Sequence, residues 1–261
     1  SDRQRANAAL MRRAPRSFQE AALLLERYGA DRMIVLRFTR PIDPPRLAEM
    51  LLRQYPNAIE FAEPDYILRA QLVPNDPLFG LQWYLRDRNV FPERRADMWA
   101  PEAWDITRGR SDVVIAVIDT GIEATHPDLM RQLFVNPEEI PNNGVDDDGN
   151  GFVDDVSGWD FVRRDPDPDD ENGHGTWMSS LAAAETNNAL YMAGVSWGSR
   201  ILPLKAGDER GNFSTSTIIQ AVNYAVAMAP RGVRVINMSF GGPGTSVGLE
   251  RALAAANDAR L

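Results

Sequence analysis

Three apolar runs stand out along the chain, Val113–Ile118, Ile201–Lys205 and Val233–Met238, each too short and too continuous to be a helix that faces water on one side. Between and after them the apolar period lengthens, and helices are predicted over His174–Glu185, Thr215–Met228 and Ser246–Asp258. Continuous strands alternating with helices predict an α/β fold, a parallel sheet flanked by helices on both faces. Ahead of this lies a smaller α/β pattern. Ser17-Phe18-Gln19-Glu20 reads as a capping box opening a helix to about Tyr28, Met33–Phe38 as a strand, Pro44–Leu51 as a helix and Ala58–Ala62 as a strand. A half-sandwich of that kind calls for one more strand before residue 1. From Leu72 to Pro92 the chain reads as loop, with Pro74-Asn75-Asp76-Pro77 as a turn cluster.

In parallel sheets the chemistry gathers beyond the carboxyl ends of the strands. Asp119 follows Val114-Ile115-Ala116-Val117-Ile118 at such an end. The chain has two histidines. His126 sits in the turn Thr125-His126-Pro127-Asp128-Leu129, which favours a structural role. His174 lies between Gly173 and Gly175 at a loop-to-helix junction, where missing neighbouring side chains leave an imidazole accessible. An Asp that holds a His as general base is two thirds of a Ser-His-Asp hydrolase.

These residues resemble the subtilisin-like serine peptidases, the subtilases, and thermitase-like members among them. Ile118-Asp119-Thr120-Gly121-Ile122 with His126-Pro127-Asp128-Leu129 is similar to the family's Asp block, and Gly173-His174-Gly175-Thr176 to its His block. Ile236-Asn237-Met238-Ser239-Phe240-Gly241-Gly242 resembles its substrate-binding strand, the likeness spanning roughly residues 32–261. The resemblance implies Asp119 and His174 as catalytic residues. It implies Ser239, Phe240 and Gly241 as one wall of a peptide cleft and Gly211, Asn212 and Phe213 as the other; the alternative for Ser239 is an ordinary strand end. Trp177-Met178-Ser179-Ser180 departs from the family's His-Val-Ala-Gly. Gly244-Thr245-Ser246 imitates the nucleophile block, but Ser246 is seven residues after Ser239 and reads as a helix cap. By family order the serine and the oxyanion-hole Asn lie beyond Leu261.

Net charge is −9 and uneven. Residues 1–71 carry 12 basic and 9 acidic side chains, while Glu138–Glu171 holds 13 acids against Arg163 and Arg164. Such a surface argues against nucleic acid and for a cation. Asp146-Asp147-Asp148-Gly149-Asn150-Gly151-Phe152 matches the first half of an EF-hand-type calcium loop, with ligands at Asp146, Asp148, Asn150 and the Phe152 carbonyl. Position twelve is Ser157, so Asp154 or Asp155 must complete the shell. By resemblance, Asp76, Asp128 and Asn188 share a second calcium, and the run Asp165–Asp170 a third.

Residues 1–71 resemble the inhibitory prosegment of the family, and residues 72–261 the catalytic domain short of its nucleophile, with maturation near Gln71–Leu72. No run reaches the roughly 20 apolar residues that span a bilayer, so no membrane partner is expected. The whole reads as a secreted or extracellular, calcium-stabilised endopeptidase precursor with polypeptide substrates and its own prosegment as partners. The alternatives are a non-catalytic peptide-binding or inhibitory relative, and a split enzyme. Zero Cys excludes thiol chemistry.

Overall fold

The structure is a computed structural model, and it describes residues 22–27, 34–38, 41–57, 59–66, 73–86 and 97–261. The chain divides into two compact units, Ser1–Ala70 and Gln71–Leu261.

In the first unit, β1 (Ala22–Arg27) pairs antiparallel with β2 (Ile34–Phe38), running from Ala22 opposite Phe38 to Arg27 opposite Ile34, and α1 (Pro44–Gln54) follows. The helix expected up to Tyr28 is therefore corrected to a strand over Ala22–Arg27; the capping box Ser17–Glu20 lies outside the described residues. A short apolar run such as Leu23-Leu24-Leu25 carries no period of its own, and pairing of Leu24 and Leu25 with Arg37 and Leu36 of β2 decides its state. α1 begins as its sequence dictates: Asp43 accepts from the Arg46 N–H at 3.2 Å, and Pro44 starts the first turn with no N–H to leave unsatisfied. The strand expected over Ala58–Ala62 is also corrected, since Ile59–Tyr66 forms no strand. Pro64 lacks a ladder donor.

The second unit is built on a four-stranded parallel sheet of β3 (Val114–Asp119), β4 (Trp159–Asp160), β5 (Arg200–Lys205) and β6 (Val233–Met238), in spatial order β4-β5-β3-β6. The helices are α2 (Ala100–Trp104), α3 (His174–Ala183), α4 (Thr215–Ala227) and α5 (Val247–Asp258). Alternate residues of β3 enter different cores. Val114, Ala116 and Ile118 join Leu202, Leu204, Phe161, Val222, Tyr224 and Met228; Val117 joins Ile122, Leu129, Ala183 and Ile201. Both faces are covered, which is why the strand reads as unbroken apolar sequence.

Register lines up the carboxyl ends. Asp119 of β3 lies opposite Lys205 of β5, and Lys205 lies opposite Asp160 of β4. α5 starts where Ser246 accepts from the Leu249 N–H at 3.2 Å, so that serine is a helix cap.

α3 rests directly on the turn after β3. A Cβ added to Gly175 would lie 2.2 Å from the Gly121 carbonyl oxygen, and Gly121 itself has φ +122°. Gly175→Ala is expected to lower stability by about 3 kcal/mol through overpacking against backbone that cannot yield. Chemical denaturation of the full-length protein checks this; an unchanged midpoint would contradict the close approach.

Candidate active site

Asp119 ends β3 with its side chain fully buried. Its Oδ1 accepts from the Thr120 N–H at 2.7 Å and lies 2.7 Å from His174 Nδ1. His174 is the first residue of α3, and its side chain is 40% exposed. Two residues 55 positions apart thus meet above the sheet, the carboxylate underneath and the imidazole at the surface. With Asp119 ionised, the proton resides on Nδ1 and Nε2 is left as an acceptor facing out. Asp119 Oδ2 is buried with no hydrogen-bond partner among the described residues.

The turn before α3 is held from two sides. Asp170 Oδ1 accepts from Thr120 Oγ1 (2.8 Å), Gly173 N–H (2.9 Å) and Asn172 N–H (3.1 Å), while Oδ2 accepts from the Thr176 N–H (2.9 Å) and hydroxyl (2.6 Å). Burial pushes the Asp170 carboxyl up, but the bonds from Thr176, Gly173 and Thr120 outweigh it and hold the group below the usual carboxylate value. Next to it Glu171 pairs with Lys205, whose Nζ also donates to the Asp169 carbonyl (2.6 Å) and lies 3.3 Å from Asp160 Oδ2. Asp165 accepts from the Asp167 N–H at 3.1 Å. Along Asp165–Asp170, where a third calcium is expected, Asp170 spends both oxygens on N–H and O–H donors.

Trp177, one turn into α3, is 72% exposed, and Ser180 bonds back to the Thr176 carbonyl at 2.8 Å. At Trp177 and Ser180 the departure from the family pattern is thus absorbed at the surface and by a local hydroxyl bond, whereas Ser179 is buried with its hydroxyl unpartnered among the described residues. His126 takes a local role, accepting the Asp128 N–H at Nδ1 (3.2 Å) with its ring against Tyr191.

The two expected walls of a cleft are brought together. The Phe213 and Phe240 rings stack with centroids 4.3 Å apart. Gly211 lies near Asn172, which donates to the Glu209 carbonyl at 3.0 Å, so the 209–213 loop adjoins the turn carrying His174. Asn212 is tied to Asp208 through its own N–H (2.8 Å) and amide (3.1 Å). Ser239 accepts from the Asn237 amide at 3.0 Å, and Gly241 is exposed.

In the acidic loop, one oxygen from each of Glu139, Asp148 and Asp155 lies within 4.8 Å of the others. Asp155 is fully buried and its carboxyl is pushed up, first by burial and then by the Asp148 and Glu139 charges, against bonds from Tyr224 and Asn150. Glu139 Oε2 is buried without a partner among the described residues. A hard divalent cation suits this donor set. Asp146 accepts from the Asn150 and Gly151 N–H groups at 3.1 and 2.8 Å, and Asn150 bonds Asp148 and Asp155. The Phe152 ring packs on Trp159 and Tyr224. Asp154 faces elsewhere: its oxygens accept from the Asn143 and Gly144 N–H groups, both at 3.0 Å. Of the two candidates for closing the shell, Asp155 is the one that converges. Glu139 escaped the sequence reading because it precedes the loop by seven residues, outside any EF-hand spacing.

Asp76, Asp128 and Asn188 also meet. Asn188 donates its backbone N–H to Asp76 (3.2 Å) and its amide to Asp128 (3.0 Å), and Asp128 accepts the Met192 N–H at 3.1 Å. Both carboxylates are buried.

A buried strand-end carboxylate bonded to an imidazole at a helix start is the framework of an Asp-His hydrolase. The sequence model of the subtilase family matches residues 110–260, more than half of the chain. The chain belongs to the subtilase family. It is 39% identical over 184 residues to the thermophilic serine proteinase of Bacillus sp. (strain AK1), covering 70% of this chain and 37% of that protein. It is 34% identical over 180 residues to thermitase of Thermoactinomyces vulgaris, covering 69% and 52%. A solved protease from Pseudoalteromonas arctica PAMC 21717 superposes with TM-score 0.54 at 29% identity, over 71% of this chain and 56% of that one. The chain therefore spans between a third and about half of the length of the two sequence relatives.

Because the Asp170 carboxyl is held below its ordinary value of 3.8, its contribution to stability is full above that value and is lost as pH falls through the lower folded one. The stability difference between the wild type and Asp170→Asn is expected to be largest near neutrality and to shrink below 3.8. Urea denaturation across pH 3 to 7 measures it; a difference that widens on acidification would contradict the assignment.

Proposed function

We propose that these residues form the acid–base half of a serine endopeptidase active site, and that the longer protein hydrolyses peptide bonds. The observation carrying this reading is the 2.7 Å contact between His174 Nδ1 and the fully buried Asp119. Asp119 holds the imidazole with its proton on Nδ1 and stabilises the cation formed when Nε2 takes a proton. His174 then withdraws the proton of a serine hydroxyl as it attacks the carbonyl, and returns it to the leaving amine. The hydroxyl and the oxyanion donors come from residues following Leu261 in family order. Polypeptide substrate lies extended between Ser239-Phe240-Gly241 and Gly211-Asn212-Phe213, adding a strand by backbone pairing, with the stacked Phe213 and Phe240 rings offering an apolar subsite.

Residues 1–71 act in this reading as the inhibitory prosegment, removed near Gln71–Leu72, beside the boundary between the two compact units. Calcium sits among Glu139, Asp148 and Asp155, with Asp146, Asn150 and Phe152 shaping the loop, and a second ion among Asp76, Asp128 and Asn188. Bound calcium offsets the repulsion of clustered carboxylates and stabilises the folded state by mass action. Such sites suit a secreted enzyme. Among the described residues no helix is long and apolar enough to cross a membrane.

In the full-length protein, a fluorophosphonate probe should label a serine in the wild type and fail in His174→Ala, and Asp119→Asn should lower kcat by about 10^4-fold. Peptide binding without labelling would instead make the protein a non-catalytic relative.

Terbium luminescence, sensitised by the neighbouring Trp159 and Tyr224, reports the acidic-loop site. Glu139→Gln should weaken terbium and calcium binding at least tenfold, whereas Asp154→Asn should leave it nearly unchanged. The reverse ranking would refute the ligand set.

A further inference from the structure

Asp170 is neither part of the imidazole–carboxylate pair nor of either cation site, yet it is the group on which both halves of the pair converge. Gly173, the N-cap of α3, has no side chain to cap the helix. The free N–H groups of the first turn are met from elsewhere: Gly175 donates to Thr120 Oγ1 at 2.9 Å, and Thr176 to Asp170 Oδ2. The Thr120 hydroxyl then donates onward to Asp170 Oδ1, and the Thr176 hydroxyl, bonded to Oδ2, accepts the Glu123 N–H at 2.9 Å. One carboxylate thus ties segment 119–123, which carries Asp119, to segment 172–176, which carries His174. The bond from Gly175 to Thr120 joins the immediate neighbours of the two. Five donors reach its two oxygens, so only a carboxylate fits. An Asn would turn an NH2 group toward the Thr120 hydroxyl or toward Thr176.

We propose that Asp170, acting through Thr120, is a positioning residue that holds His174 Nδ1 in register with Asp119. The proposal rests on the reading of Asp119 and His174 as the acid–base pair. A misplacement of about 1 Å at the imidazole is enough to lower turnover by about a hundredfold. Thr120 is almost fully buried, and Val reproduces its shape without its hydroxyl and without changing charge.

The test uses the full-length protein with 15N-labelled histidine, comparing the wild type with Asp170→Asn, Thr120→Val and Thr120→Ser. The wild type and Thr120→Ser should show a His174 Nδ1–H resonance protected from solvent exchange. Asp170→Asn and Thr120→Val should lose that protection while still folded by near-ultraviolet circular dichroism. Both should lose roughly ten- to a hundredfold in kcat with KM changed less than about threefold. A merely structural role would reduce the folded fraction and leave the resonance and the kcat per folded molecule intact, which overturns the proposal. An effect in Asp170→Asn without one in Thr120→Val overturns it as well, because the carboxylate would then act through Asn172, Gly173 and Thr176 and not through Thr120. If the wild type hydrolyses no peptide, the functional reading fails, and the resonance still decides the role of Asp170.

Discussion

The contact between Asp119 and His174 makes demands on most of the surrounding structure. A carboxylate with no exposed surface must be held at one height, and a fully buried strand end supplies that height. The imidazole must come down onto it from a helix start, and α3 can approach only because Gly175 has no Cβ to meet the Gly121 carbonyl, while Gly121 leaves room for the carbonyls of Pro168 and Asp169. The two cores on opposite faces of β3 fix the strand, and the capped first turn of α3 fixes the ring. Loss of either element separates the pair, so a bond worth little by itself depends on the packing of the whole second unit.

The acidic composition has several structural uses. Between Glu138 and Glu171 the carboxylates fall into groups with different partners. Glu139, Asp148 and Asp155 crowd together, with Arg231 3.0 Å from Asp148 and the Asn150 amide on Asp155. Asp154, Asp165 and Asp170 accept backbone N–H groups and shape turns. Asp160 and Glu171 surround Lys205, the one lysine in the chain beside 27 arginines. Its compact ammonium reaches Glu171, Asp160 and the Asp169 carbonyl from a buried strand end, where a planar guanidinium would demand more room and more acceptors. Those bonds anchor the segment leading into His174 to the carboxyl edge of the sheet.

Much of the second unit was legible in advance. Val113–Ile118 and Ile201–Lys205 announced themselves because a strand buried on both faces has no polar alternation to hide it, while Val233–Met238, at the sheet edge and partly exposed, showed through its β-branched residues. Ser246 was readable as a cap because capping is local chemistry between neighbours in sequence. The first unit was harder. Leu23–Leu25 has no helical or alternating period, and Ile59–Tyr66 has strand-like residues but a proline and no ladder.

By itself the sequence determined three of the four strands of the sheet and the acidic loop and singled out Asp119 and His174, because each rests on residue type within a short window, whereas the two-residue β4 is too short to carry a pattern. Only the tertiary structure decided that Glu139 converges with Asp148 and Asp155 while Asp154 turns away. It also decided that Asp170 caps a helix, that Phe213 meets Phe240, and that the lone lysine is buried. These outcomes depend on which distant segments the fold places within bonding reach, and no local pattern encodes that.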